Sequence, residues 1–327
     1  MPVGWGAGGD LTHWLSRRLT TFPRIVLLGL ACAGLALVSM PAAAARVAVV
    51  LSDDSAPYQE VFQAMQALLD DSPHVLGRAY AAGLAASSLN DAQLAVAVGV
   101  RAAEALASLP VRTPVLAVLV PRAWYARNGR ARLSDSGRRS VSAIYLDQPF
   151  ARQAQLIRLA LPETRRVGVL LSTEQAGLAG ELDLALQGQQ LSLVLGTLSG
   201  EQRLIAPLET VLSDADVLLA VTDPLVFNRN TAQSLFLTSY RYRVPVLGYS
   251  QSLTRAGALL SLHSSPAQIG RQAAETVVAA LQGGSVRLPM PDHPAYFSIS
   301  INEQVARSLG YTLLPEAELE KRLGAPR

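Results

Sequence analysis

Residues with chemistry to offer stand at the ends of apolar runs. The stretch ADVLLAVTDPLVFN, residues 215–228, is apolar from Ala215 to Val221 and then delivers Thr222, Asp223 and Pro224, followed by Phe227. Comparable ends are Ser52-Asp53-Asp54-Ser55, Gly99-Val100-Arg101, Asp147-Gln148-Pro149, Ser172-Thr173 and Tyr249-Ser250. This is binding chemistry. A carboxylate such as Asp223 suits an ammonium or hydroxyl group. Hydroxyls and backbone N–H groups at helix starts, near Ser52 and Gly99, suit an anion. Rings such as Tyr58, Phe227 and Tyr249 suit an apolar flank.

Catalytic constellations do not emerge. GWGAGG, residues 4–9, matches G-x-G-x-x-G as letters, but no strand precedes it. There is no phosphate-cradling G-x-x-x-x-G-K-[ST] loop and no G-x-S-x-G elbow. His13, His74, His263 and His293 are scattered, none at metal-ligand spacing. The acid pairs Asp53-Asp54 and Asp70-Asp71 read as solvated. The chain is therefore expected to be no enzyme and to need no metal or cofactor.

The elements that must position these groups alternate. Strands are expected at 46–52, 95–99, 114–120, 141–147, 166–172, 191–197, 215–221, 244–250, 257–263 and 297–302. Helices are expected at 58–69, 101–109, 149–161, 179–187, 201–213, 231–242, 265–284 and 303–310, with Ser265 as an N-cap and Gly283-Gly284 as a stop. Residues 129–139, GRARLSDSGRR, read as an exposed loop. The alternation runs twice, before and after about residue 148. It implies an α/β chain of two doubly wound parallel-sheet lobes. In such sheets the strands are apolar because helices cover both faces, and ligands sit beyond their C-terminal tips. That is why a greasy strand carries a carboxylate at its end.

Each tip residue also has a purely structural reading. Asp223 before Pro224 can start a turn or cap a helix, and Asp147 has the same ambiguity. One of Ser52, Asp53, Asp54 and Ser55 caps the next helix, and Gly99 can simply relieve crowding. Tyr58, Phe227 and Tyr249 can be core aromatics. Replacing Asp223 with Ala separates the readings: a ligand group costs affinity, a cap costs stability.

The 327 residues are 50% hydrophobic and 16% charged, which suits a globular chain of more than one core. The formal charge of +3 falls away once residues 1–45 are set aside, since 46–327 carry 25 basic and 24 acidic groups. A neutral body without a basic stripe gives no reason to bind nucleic acid. Residues 1–45 read as a cleavable secretory signal: Arg17, Arg18 and Arg24, then the apolar run 25–38, then small residues before Arg46. The run is shorter than the ~20 residues of a spanning helix. Cys32, the only cysteine, lies within it, and a lipid anchor there is the lesser alternative. A mature chain without cysteine has no disulfides.

At ADVLLAVTDPLVFN, RVPVLGYSQS, GALLSLHSSPAQIG and the tail IN-x₃-A-x₂-LG, the sequence resembles the substrate-binding proteins of ABC transporters, in the branch that includes tryptophan-type binders. The likeness covers most of 160–315 and is looser over 46–145. It implies a type I periplasmic binding fold, with a hinge of three segments and a ligand between the lobes. It assigns 46–147 with 253–286 to the first lobe and 148–252 with 287–327 to the second. By the resemblance Ser52, Gly99 with Val100, Asp223 and the GYS of 248–250, with Tyr249 and Ser250, line the cleft; the reading of the strand tips adds Ser55, Tyr58, Asp147, Ser172 and Phe227. After Gly99 the family often has a small hydroxyl residue, where this chain has Val100-Arg101. The implied role is a monomeric, periplasmic solute-binding protein that hands a small molecule, an amino acid among the options, to an inner-membrane ABC permease. A ligand-sensing module of the same fold is the alternative.

Overall fold

Runs of Val, Ala and Leu that are buried on both faces can only be the middle strands of covered sheets, and two such sheets form. The computed structural model describes Gly4 and residues 44–135, 137–199, 204–282 and 285–324. The signal segment, Cys32, His13, the GWGAGG stretch beyond Gly4, Gly283-Gly284 and the expected helix start at 201–203 lie outside the described residues.

The first sheet contains β1 (Arg46–Leu51), β2 (Val75–Tyr80), β3 (Ala92–Val98), β4 (Val115–Val120) and β5 (Val141–Tyr145), in the parallel order β2-β1-β3-β4-β5. Along β1, Val47, Val49 and Leu51 pack with Val61, Met65 and Ile269, while Ala48 and Val50 pack with Leu106, Tyr125 and Leu133. Each side chain of this size contributes roughly 1.5–3 kcal/mol by leaving water. Helices α1 (Ala56–Leu69) and α2 (Val100–Ala107) are the covers that follow β1 and β3.

The second sheet repeats the plan. Strands β6 (Arg166–Ser172), β7 (Ser192–Leu198), β8 (Val217–Leu219), β9 (Val246–Gly248) and β10 (Leu260–His263) are parallel, and β11 (Ser298–Ile301) joins β10 antiparallel. The order is β7-β6-β8-β9-β10-β11. Helices α3 (Phe150–Ala160), α4 (Ala179–Gln187), α5 (Ile205–Asp214), α6 (Ala232–Arg241) and α7 (Gln251–Ala256) alternate with these strands. Helices α8 (Pro266–Leu281), α9 (Glu303–Leu309) and α10 (Glu316–Arg322) complete the chain. Ser265 caps α8 in a reciprocal box with Gln268. Residues 44–327 form one compact unit.

Three expectations are corrected here. Strand β10 hydrogen-bonds to β9 and β11, so 253–263 belong to the second lobe, and the chain crosses back at Ser264-Ser265. Helix α8 then returns to the first lobe against α1, so closely that a Cβ on Gly270 would stand 2.5 Å from the Val61 carbonyl oxygen. The last crossing also falls later than 286/287. Asp292 still exchanges backbone hydrogen bonds with Ala143 and Tyr145 beside β5, and Phe297 is the first residue seated in the second core. The third correction concerns 129–139. A helical run spans 122–134, with a π turn at Tyr125–Gly129. Arg139 is buried, and its guanidinium donates to the carbonyls of Leu106, Leu109 and Val111. It satisfies the acceptors left free where α2 ends.

The three crossings are tied together. Gln148 Nε2 donates to Ser264 Oγ at 2.8 Å, and Ser264 Oγ donates to the Tyr296 carbonyl at 2.6 Å. His293 Nδ1 lies 2.9 Å from the Asp147 carbonyl oxygen.

Candidate ligand-binding site

The strand tips of the two sheets meet around the first crossing. Asp147 stands there, just past β5. Its Oδ2 accepts the Arg122 backbone N–H at 2.6 Å, from the start of the helical run after β4. Its Oδ1 accepts the hydroxyl of Thr222, past the tip of β8. One carboxylate thus takes a donor from each lobe.

Asp223 is 1% exposed. Its Oδ2 accepts the Ser172 N–H at 2.7 Å and its Oδ1 accepts the Leu225 N–H at 3.0 Å. It closes the turn after β8 and joins the tips of β6 and β8. The capping reading therefore describes this residue. Its neighbours form a compact polar group. Gln175 Nε2 donates to the Thr222 carbonyl at 3.1 Å, which leaves Gln175 Oε1 buried without a partner, and Ser172 Oγ is in the same condition. The Tyr249 hydroxyl is pushed up to about 12 by burial and by the charges of Asp147 and Asp223. It stays protonated and able to donate. Phe227 meets the Tyr249 ring edge-on at 6.1 Å and is buried in the core under α6. Ser250 accepts the Leu253 N–H and caps α7.

The first-lobe residues make a separate cluster. Ser52 Oγ donates to the Val98 carbonyl at 2.8 Å and accepts the Ala102 N–H at 3.1 Å. Gly99 has φ 87°, and a Cβ there would meet Ser52 Oγ at 2.5 Å and the Tyr58 ring at 2.9 Å. Tyr58 therefore lies over Gly99. Val100, the first residue of α2, packs partly into the core. Ser55 occupies the N-cap position of α1, but its side chain makes no capping bond, and its N–H goes to Asp53 Oδ1. The Ser55 hydroxyl first and its backbone N–H second, more than the charge of Arg101 3.4 Å from Asp53 Oδ2, hold the Asp53 carboxyl below its usual range.

Between the lobes, Arg122 reaches Glu181 at 2.7 Å and Arg127 donates to the Glu174 carbonyl at 3.0 Å. A cavity of about 10 Å³ lies among Arg122, Asp147, Phe150, Leu178 and His293, room for roughly one water-sized group. The lobes are thus closed on each other at this side. Among the described residues, no group of three or more His, Cys, Asp or Glu could hold a metal ion, and no helix is long and apolar enough to cross a membrane.

The family model described as ABC transporter substrate binding protein matches residues 82–321. The chain belongs to that family. The fold of this substrate-binding protein agrees with solved relatives. A conserved domain protein from Vibrio cholerae is 22% identical with a TM-score of 0.57, over 84% of this chain and 97% of that one. An ABC domain in complex with L-Trp from Streptococcus pneumonia is 17% identical with a TM-score of 0.57, over 85% and 98%. The ligand-free, open structure of a substrate-binding protein with adhesive properties from Clostridium difficile is 16% identical with a TM-score of 0.65, over 84% and 97%. At these identities the likeness is one of fold: two α/β lobes of the type I periplasmic binding kind. A search of curated proteins gave no match.

In this substrate-binding protein, Asp147, Ser172, Asp223 and Tyr249 converge, whereas Ser52, Ser55, Tyr58, Gly99 and Val100 form the other cluster. Thr222, Gln175, Arg122 and His293 also stand at the crossing and were not singled out from the sequence. Thr222 adjoins Asp223 in the TDP tip, so its position was legible. Gln175 lies in a 3₁₀ turn, Thr173–Leu178, with no pattern to mark it.

Proposed function

We propose that this chain is an exported solute-binding protein that captures a small molecule between its lobes and delivers it to an ABC permease. The observation that carries the reading is the placement of Asp147. It sits on a chain crossing, and its carboxylate accepts from both lobes. Rotation about the crossings would break the Thr222 contact and expose the polar groups at both sets of tips. A solute touching both sets would favour the closed arrangement, by its differential affinity for the two states. The family and the fold support this role. The charge balance of 46–327 gives no counter-argument in favour of nucleic acid. The signal-like residues 1–45 support export to the periplasm, where a monomer would meet the permease.

A thermal-shift screen against amino acids, sugars, nucleosides and amines tests the proposal. Saturable stabilisation by one chemical series is the expected result, since ligand binding to the folded state raises stability by mass action. Trp124, the only tryptophan in 46–327, lies one residue from the cavity-lining Ala123 and offers a second readout. Absence of any stabilising solute, or chemical turnover of the one that binds, counts against it.

A further inference from the structure

The crossing gathers several acceptors, two of them without a hydrogen-bond partner. Asp147 and Asp223 bring two carboxylates to one place, and the Tyr249 hydroxyl feels both. Beside them, Gln175 is 5% exposed and its Oε1 has no donor, although its own amide donates to the Thr222 carbonyl. Ser172 is 1% exposed, its backbone N–H held by Asp223, and its Oγ is likewise unpartnered. A buried oxygen left without a hydrogen bond costs about 1–3 kcal/mol, so native proteins rarely keep one without a use. A carboxamide oxygen can only accept.

The cations near the tips do not offset this. Arg101 pairs with Asp53, Arg122 with Glu181 and Arg127 with Glu174. On the first lobe, Ser52 Oγ is committed to Val98 and Ala102. These arginines and this hydroxyl are thus already engaged, which weakens the case for a carboxylate on the ligand.

We infer that the solute is recognised through a protonated amine placed against Asp147, Gln175 and Ser172, and that a ligand carboxylate is not required. This rests on the solute-binding reading. An ammonium has three donors and no acceptor, which answers two carboxylates and two unpartnered oxygens.

The test is calorimetric titration of the full chain with matched series: phenethylamine, phenylalanine and hydrocinnamate; tryptamine, tryptophan and indolepropionate; and putrescine. In at least one series the amine should bind at least about tenfold tighter than the acid, as a charge-assisted hydrogen bond allows, and no more weakly than the amino acid. Asp147→Asn and Gln175→Leu should each weaken that amine by about tenfold. Far-ultraviolet circular dichroism reports whether the variants are folded, and the matched series decides on the unaltered chain if they are not. An acid or amino acid bound more tightly than its amine overturns the inference and leaves solute binding standing. So does unchanged amine affinity in both folded variants, or a sugar or nucleoside as the sole binder. If no compound in these series or in the wider thermal screen binds, both readings fall.

Discussion

The hydroxyl of Thr222 donates to the carboxylate of Asp147 and so ties the β8 tip of the second lobe to the first chain crossing. The other carboxylate oxygen is held by the Arg122 N–H of the first lobe. This contact must break for the lobes to part. Thr222→Val keeps the shape and removes the donor. It should cost about 1 kcal/mol of global stability and shift the solute-free chain toward more open forms, read as a larger radius of gyration in small-angle scattering. An unchanged scattering profile would show that Thr222 does not restrain the lobes.

Asp223 is buried and accepts two backbone N–H groups. Asp223→Ala leaves the Ser172 and Leu225 N–H groups without their partner. It should therefore destabilise the fold by about 3–6 kcal/mol, the sum of two charge-assisted bonds. Urea denaturation measures this. A loss of affinity at unchanged stability would instead restore Asp223 as a ligand group.

Gly99 has the positive φ of 87° and no room for a side chain between Ser52 and Tyr58. Gly99→Ala should cost about 1–3 kcal/mol through backbone strain and displacement of the Tyr58 ring. The same denaturation experiment checks it.

Much of the architecture was legible because buried parallel strands have an unmistakable composition. Helix Ala179–Gln187 and strand Arg166–Ser172 fall at the expected residues. Strand β2, VLGRAY, was missed because an edge strand has a single partner and is only half-buried, so its pattern is diluted by Gly77 and Arg78. Helix α10, EAELEKR, was missed because only Leu319 is buried. The exit points of the lobes were misplaced for another reason. Whether 253–263 joins one sheet or the other depends on the hydrogen bonds of β10 with β9 and with the distant β11, and backbone pairing leaves no mark on side-chain composition. Within the site, types were readable and roles were not. A carboxylate before a proline reads the same whether it meets a ligand or two backbone N–H groups.

His263 ends β10 next to the second crossing, with Nε2 2.8 Å from Ser300 Oγ. Burial lowers its pKa from the ordinary 6.5. The fold therefore prefers the neutral ring. Its contribution is complete above pH 6.5 and is lost as pH falls through 6.5 toward the lower folded value. Relative to His263→Asn, the unaltered chain should lose melting temperature faster on acidification below that point. Parallel melting curves for the two chains would contradict this.

The central claim is that a small solute draws the two sets of strand tips together. Spin labels on Asp54→Cys and Arg229→Cys, both exposed and on opposite lobes, report that separation in a Cys32→Ser background. With the tightest-binding solute from the screen, the account expects the distance to shorten and its distribution to narrow saturably, with the same midpoint as binding. A distance unchanged at saturating solute would contradict it.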